Sequence, residues 1–255
     1  MELLDVRHLK KIYRTRAGAQ SFTALHDVSF TVAPGEFVAI MGASGSGKTT
    51  LLNLIAALDQ PTGGDILLEG RSLRTLAERD LARFRRDHLG FVFQDFNLLD
   101  TFSLRDNIYL PLVLSRTPPG QMEARLKPLA AQLEIDSLLD KFPYEVSGGQ
   151  RQRAAIARAL ITAPRLLLAD EPTGALDSKA SQNLLETFTR FHGDGQTILM
   201  VTHSALAASY ASRVLFIRDG SLFSQLYRAD EARRTFFDRI VSTLTVLSDG
   251  GVDIG

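Results

Sequence analysis

Nine residues, GASGSGKTT (Gly42–Thr50), constrain this chain more than any other stretch. They follow the apolar run EFVAIMG and lead into TTLLNLIAAL, so a strand, a glycine-rich loop and a helix come in the order that the phosphate-loop pattern G-x-x-x-x-G-K-[ST] demands. Gly42, Gly45 and Gly47 let the backbone wrap phosphate groups, with Ser44 and Ser46 between them. Lys48 is placed to reach the terminal phosphates, and the Thr49 hydroxyl to ligate magnesium, with Thr50 closing the loop. A glycine-rich turn without function would not carry Lys48-Thr49 between these two flanking elements. Alone, the loop specifies a nucleoside triphosphatase and no more.

The rest of the chain suits such a loop. EFVAIMG (36–42), HLGFVF (88–93), RLLLAD (165–170) and TILMVTH (197–203) are short, mostly apolar runs with polar or glycine boundaries, the pattern of strands covered on both faces. Helical patterns separate them, which predicts an α/β fold with a mainly parallel sheet and flanking helices. DVSFTV, DILLEG and RVLFIRDGSLF read as antiparallel strands, the last turning at Asp219-Gly220. No buried strand is legible between Gln94 and Leu160, so that segment reads as a helical insertion. Phe236, Phe237, Ile240, Val241, Leu244 and Leu247 recur at helical spacing and predict an amphipathic helix packed on its own domain, with a subunit contact as the other reading. The expected organisation is a nucleotide-binding core with an antiparallel β subdomain over 1–93 and 161–220. A helical subdomain covers 94–160, and a hairpin strand and helix cover 221–255.

Composition narrows the partners. Across 255 residues, 29 basic and 29 acidic side chains give zero formal net charge, so no global field draws the chain to nucleic acid or an acidic membrane. Apolar content of 45% and charged content of 23% are those of a globular protein. There is no cysteine, hence no disulfide or thiol nucleophile, which fits a reducing cytoplasm. The first residues, MELLDVRHLKKIYRTR, lack an apolar signal core. The uncharged stretch 197–212 is too polar to span a membrane, so a membrane role is expected to run through a partner.

Two further motifs bear on chemistry. RLLLADE ends an apolar strand in Asp170 and Glu171, an acid where phosphate-loop proteins hold magnesium through water and a second acid able to serve as general base. VSGGQRQRAAIARAL sets Ser147, Gly148 and Gly149 before a strongly helical run. That is either a flexible turn or a bare helix N-terminus open to an anion.

Phosphate loop, Gln94, VSGGQR, LLLADE, GALD and His203, in this order along essentially the whole chain, resemble the ATP-binding-cassette ATPases. The resemblance implies ATP and magnesium as ligands, with catalysis by Lys48, Glu171 and His203 and metal contacts from Thr49, Gln94 and Asp170. It implies that Tyr13 stacks on adenine, that Gln94 also senses the membrane partner, and that His203 holds the γ-phosphate and attacking water. Ser147, Gly148, Gly149 and Gln150 then serve a nucleotide held by a second copy of the chain, and Asp177 crosses that interface. FQDFNLLDTFSLRDNIYLPL and ADEPTGALDS are similar to the subfamily that works with permeases resembling FtsX and MacB. NLLDT, TGALDSK and the tail FFDRIVSTLTVLSDGG are similar to the ATPases of bacitracin-type peptide-antibiotic resistance transporters, some of which involve a sensor histidine kinase. The implied location is the cytoplasmic face of the bacterial membrane, through the permease. A signalling subunit of the cell-division type or a lipoprotein-extracting ATPase is the alternative, and a phosphate-loop kinase would lack VSGGQ.

Overall fold

The computed structural model describes residues 2–14 and 21–249. In chain order it contains β1 (Leu4–Arg14), β2 (Ser21–Val32), β3 (Phe37–Met41), α1 (Lys48–Ile55), β4 (Gly63–Leu68), β5 (Arg71–Ser72), α2 (Glu78–His88) and β6 (Leu89–Val92). Then come α3 (Leu104–Leu114), α4 (Pro119–Leu133), α5 (Gly148–Leu160), β7 (Leu166–Asp170), α6 (Ser178–Gly193), β8 (Thr197–Val201), α7 (Ala205–Ala208), β9 (Arg213–Arg218), β10 (Ser221–Tyr227) and α8 (Arg233–Asp249). By compactness the chain divides into one unit of Met1–Ala77 with Leu199–Gly255, and another of Glu78–Ile198.

In the first unit the strands run in the order β5-β4-β1-β2-β10-β9-β3. β1 pairs antiparallel with both β2 and β4, while β3 pairs parallel with β9. All five residues of β3 are buried, which is why its apolar run is continuous rather than alternating. The β9–β10 hairpin turns at Asp219-Gly220 as expected, both residues with positive φ (48° and 71°). β9 differs from the expectation in one respect. It is antiparallel to β10 but also belongs to the parallel set through β3, consistent with the burial of Arg213–Ile217 on both faces. Helix α8 packs on α7, and its Phe236 and Ile240 are buried. Val241, expected on the same apolar face, is 40% exposed, so the buried stripe is narrower than the spacing suggested.

The second unit pairs β6 parallel to β7, from Leu89 opposite Leu166 to Val92 opposite Ala169. The stretch from Gln94 to Leu160 holds α3, α4, α5 and short 3-10 turns, and no strand among its residues, as expected. α5 lies close on β6: a Cβ on Gly90 would come within 2.4 Å of the Ala159 carbonyl oxygen. Small residues, Ala154, Ala155, Ala157 and Ala159, make that approach possible and are all buried.

Candidate nucleotide site

The phosphate loop is moulded by its own unit. Gly47, at φ 100°, caps α1, and a Cβ there would lie 2.6 Å from the Ala24 carbonyl oxygen. At Gly42 a Cβ would meet the Ile217 carbonyl oxygen at 2.2 Å, so β9 presses against the start of the loop. Lys48 is 9% exposed, and its Nζ donates to the carbonyls of Gly42 and Ala43, each at 2.8 Å. The ammonium therefore sits inside the ring of backbone rather than out in solvent. Ser46 Oγ is buried without a hydrogen-bond partner among the described residues, a polar atom in the cradle left for a ligand or water. Thr49, beside Lys48 in the first turn of α1, is exposed. Its hydroxyl and the Asp170 carboxylate are hard oxygen donors of the kind magnesium takes, so the donor chemistry suits that ion.

Asp170 ends β7, and Glu171 follows in a left-handed conformation, φ 44°. The turn is closed by the Gly174 amide donating to the Glu171 carbonyl at 2.9 Å. Two glutamines attend this turn. The Gln94 side chain rests against Gly174, where a Cβ would lie 3.1 Å from its Cδ and Nε2. Gln152, 1% exposed on α5, donates from Nε2 to the Pro172 carbonyl at 3.2 Å. The structure thus brings Gln94, Asp170 and Glu171 to one turn, and adds Gln152, which the sequence reading missed. Its signal, a Gln among the polar residues that open a helix, is that of an ordinary surface residue.

Helix α5 opens with a capping box. The Ser147 hydroxyl accepts from the Gln150 amide at 3.3 Å, and Gln150 Oε1 accepts from the Ser147 amide at 2.8 Å. This pair answers how the helix starts but not why two glycines follow. Neither Gly148 nor Gly149 has positive φ. A Cβ on Gly149 would make an ordinary 3.6 Å contact with Ala180 Cβ, and one on Gly148 would only approach Arg151 at 3.9 Å. The chain's own packing leaves room for side chains here, in contrast to Gly42 and Gly47. Asp177 caps α6, accepting from the Ala180 amide at 2.8 Å. Together with Ser147, Gly148 and Gly149 it lines a cleft of about 760 Å³ between the starts of α5 and α6.

Tyr13 is at the end of β1, 41% exposed, its hydroxyl donating to Asp59 at 2.9 Å. His203 is exposed just beyond β8, after Thr202, whose amide donates to Ile40 at 3.1 Å. Arg158 on α5 was also not singled out by the sequence. It donates to the carbonyls of Phe96 and Asn97, at 2.8 Å for Phe96, and pins the left-handed turn just past Gln94. Burial lowers the Arg158 pKa from its ordinary value.

The ABC transporter family profile matches residues 25–174. The chain is 51% identical over 253 residues to the ABC transporter ATP-binding protein YxdL of Bacillus subtilis (strain 168), covering 99% of this chain and 97% of that one. It is 47% identical to the bacitracin export ATP-binding protein BceA of Halalkalibacterium halodurans, over 99% of this chain and 98% of the relative. Among solved structures, the dimeric form of MJ0796, a bacterial ABC transporter cassette, matches with a TM-score of 0.79 at 35% identity, covering 88% of this chain and 98% of that one. Likeness of this strength, over nearly the full length, makes the chain a member of the ABC transporter ATP-binding family and an ATPase of the ATP-binding-cassette fold.

Proposed function

We propose that two copies of this chain close head-to-tail around two ATP molecules and drive an FtsX- or MacB-like permease in bacitracin-type peptide-antibiotic resistance. The observation that carries the dimer is the room at Gly148 and Gly149. Glycine costs roughly 0.5–1 kcal/mol relative to alanine in a helix interior and less in the first turn, where these two lie, and nothing in the chain's own packing requires it at these positions. A ligand arriving from outside would require it, and the bare amides of a helix N-terminus suit a phosphate. The dimeric MJ0796 cassette supports the second copy as its source. The name of BceA supports bacitracin export. Among the described residues no helix is long and apolar enough to cross a membrane. The export role named for BceA supports a permease, with this chain at its cytoplasmic face.

Each residue then has a task. The Lys48 ammonium, already held within the loop, takes up the charge of the terminal phosphates. Thr49, Gln94 and Asp170 would hold magnesium, which when bound neutralises phosphate charge. Glu171 accepts a proton from the attacking water, and His203 orients that water and the γ-phosphate. Ser147 offers its hydroxyl, and Gly148 and Gly149 their amides, to the γ-phosphate held by the partner copy. Tyr13 stacks on the adenine. Gln94, leaning on the turn that bears Glu171, couples the permease to hydrolysis.

The test is a mixture of two inactive variants, Lys48→Ala and Gly149→Asp, held together by a linker or the permease. In a head-to-tail pair one composite site carries both lesions and the other neither. Recovered ATPase activity, absent from either variant alone, is the expected result. If Gly149→Asp instead weakens ATP binding by the monomer as much as Lys48→Ala does, the glycines serve their own chain and the proposal fails.

A further inference from the structure

Tyr13 is an exposed aromatic near the end of a strand, and such a side chain ordinarily samples several rotamers. Fixing it on a ligand would cost side-chain entropy at the moment of binding. Two contacts fix it beforehand. Its hydroxyl donates to Asp59 Oδ2 at 2.9 Å. The Lys11 ammonium stands 4.8 Å from the ring centroid. Lys11 and Tyr13 are two residues apart on β1 and so share a face of the strand.

Asp59 organises all of this. Oδ1 accepts from Lys11 Nζ at 2.6 Å and from the Gln60 amide at 2.7 Å, leaving Oδ2 to Tyr13. Lys11 is further held by the Gln60 carbonyl at 2.8 Å, and its side chain is only 11% exposed. The cation covers one face of the tyrosine ring. The residue keeps 41% of its surface exposed, which leaves a face for a planar ligand. Burial and the bond to Asp59 raise the Tyr13 pKa, so the phenol stays a donor. Burial pushes the Asp59 carboxyl up, but hydrogen bonds from Lys11 and Tyr13 outweigh it and hold the group below its ordinary value, so it stays an acceptor.

Asp59 is also tied to the phosphate loop. It lies in the turn after α1, with its amide donating to the Asn53 carbonyl at 3.3 Å, and α1 begins at Lys48. One short helix therefore links the group that would hold the phosphates to the group that sets the ring. From this we infer that Asp59 is a positioning residue for nucleotide recognition: it holds the Tyr13 ring in its base-stacking orientation and at a fixed reach from the phosphate loop. The inference rests on the reading of Tyr13 as the adenine platform. The cluster also stitches β1 to the segment after α1, but that stitching has members of its own. The Thr62 amide donates to the Lys10 carbonyl at 2.9 Å, and the Ile12 amide to Thr62 Oγ1 at 3.0 Å. Removing only the tyrosine hydroxyl spares it.

The test measures monomer binding of ATP and of inorganic tripolyphosphate by competition with a ribose-labelled fluorescent ATP, for Tyr13→Phe, Asp59→Ala, Asp59→Asn, Tyr13→Ala and the Tyr13→Phe/Asp59→Ala double variant. Tyr13→Phe keeps the ring and the fold but loses the tether. It and Asp59→Ala are each expected to weaken ATP about fivefold, the scale of one hydrogen bond, with tripolyphosphate unchanged. The double variant should be no weaker than Asp59→Ala, because both remove one bond. Asp59→Asn, which keeps an acceptor, should recover part of the loss. If Tyr13→Ala weakens ATP while Tyr13→Phe does not, the ring matters and the tether does not, and the inference is overturned with the platform intact. If Tyr13→Ala leaves ATP affinity unchanged, the platform reading itself fails and carries the inference down with it. A loss of tripolyphosphate affinity in Asp59→Ala equal to its loss of ATP affinity would show damage to the phosphate loop, and also overturns the inference.

Discussion

Asn107 shows how much a single amide can hold. It is wholly buried at the first turn of α3. Nδ2 donates to the carbonyls of Leu99, Phe102 and Ser103 at 3.0–3.2 Å, and Oδ1 accepts from the Leu99 amide at 2.7 Å. The loop that follows Gln94 has few other ways to satisfy those groups. Asn107→Leu keeps the volume but orphans them, so thermal denaturation should register a loss of about 2–3 kcal/mol. Stability within a few tenths of wild type would mean that water replaces the amide. Residues of this kind were not legible in the sequence. Lys48 and Glu171 announce themselves because their neighbours in the chain define a motif. Asn107 in DNIYL, Gln152 in RQRAA and Asp59 after a helix read as solvated polar side chains, since their burial is decided by segments far away in sequence.

Among the elements, legibility followed burial. β3, β6, β7 and β8 fall within a residue or two of the apolar runs, because strands buried on both faces leave an uninterrupted signature. β1 left none. Its pairing with β2 slips between Val6 and Leu9 and again at Lys11, with His8 at φ 47°, so LDVRHLKKIYR shows no steady alternation. Helix α5 was legible as a helix, but its work was not: it holds Pro172 through Gln152 and the turn after Gln94 through Arg158. Its glycines carry a prediction belonging to this scale. Gly149→Ala adds a methyl at an ordinary 3.6 Å contact and improves helix propensity, so it should raise the unfolding free energy by up to about 1 kcal/mol. The same variant should lose most of its ATPase activity while binding ATP as a monomer. A variant both more stable and fully active would remove the external ligand from the argument.

For the whole molecule, the proposed composite site makes activity a property of pairs. A chain of zero formal net charge has no long-range repulsion against its own copy, yet nothing in a lone cassette brings that copy near. Turnover by the isolated protein should therefore be weak and rise more steeply than linearly with protein concentration, becoming linear once a linker supplies a high effective concentration. Strict proportionality over a hundredfold range, roughly the span that effective-concentration gains make accessible, would speak for a monomer that hydrolyses alone. The phosphate loop itself presents a different economy. Its lysine is clasped by the carbonyls of Gly42 and Ala43, and Gly42 and Gly47 are wedged against Ile217 and Ala24, while Gly45 faces open space. The mould is set by packing within the chain's own fold, and a loop whose shape the fold fixes loses less ordering entropy on each turnover than one that must fold around its ligand.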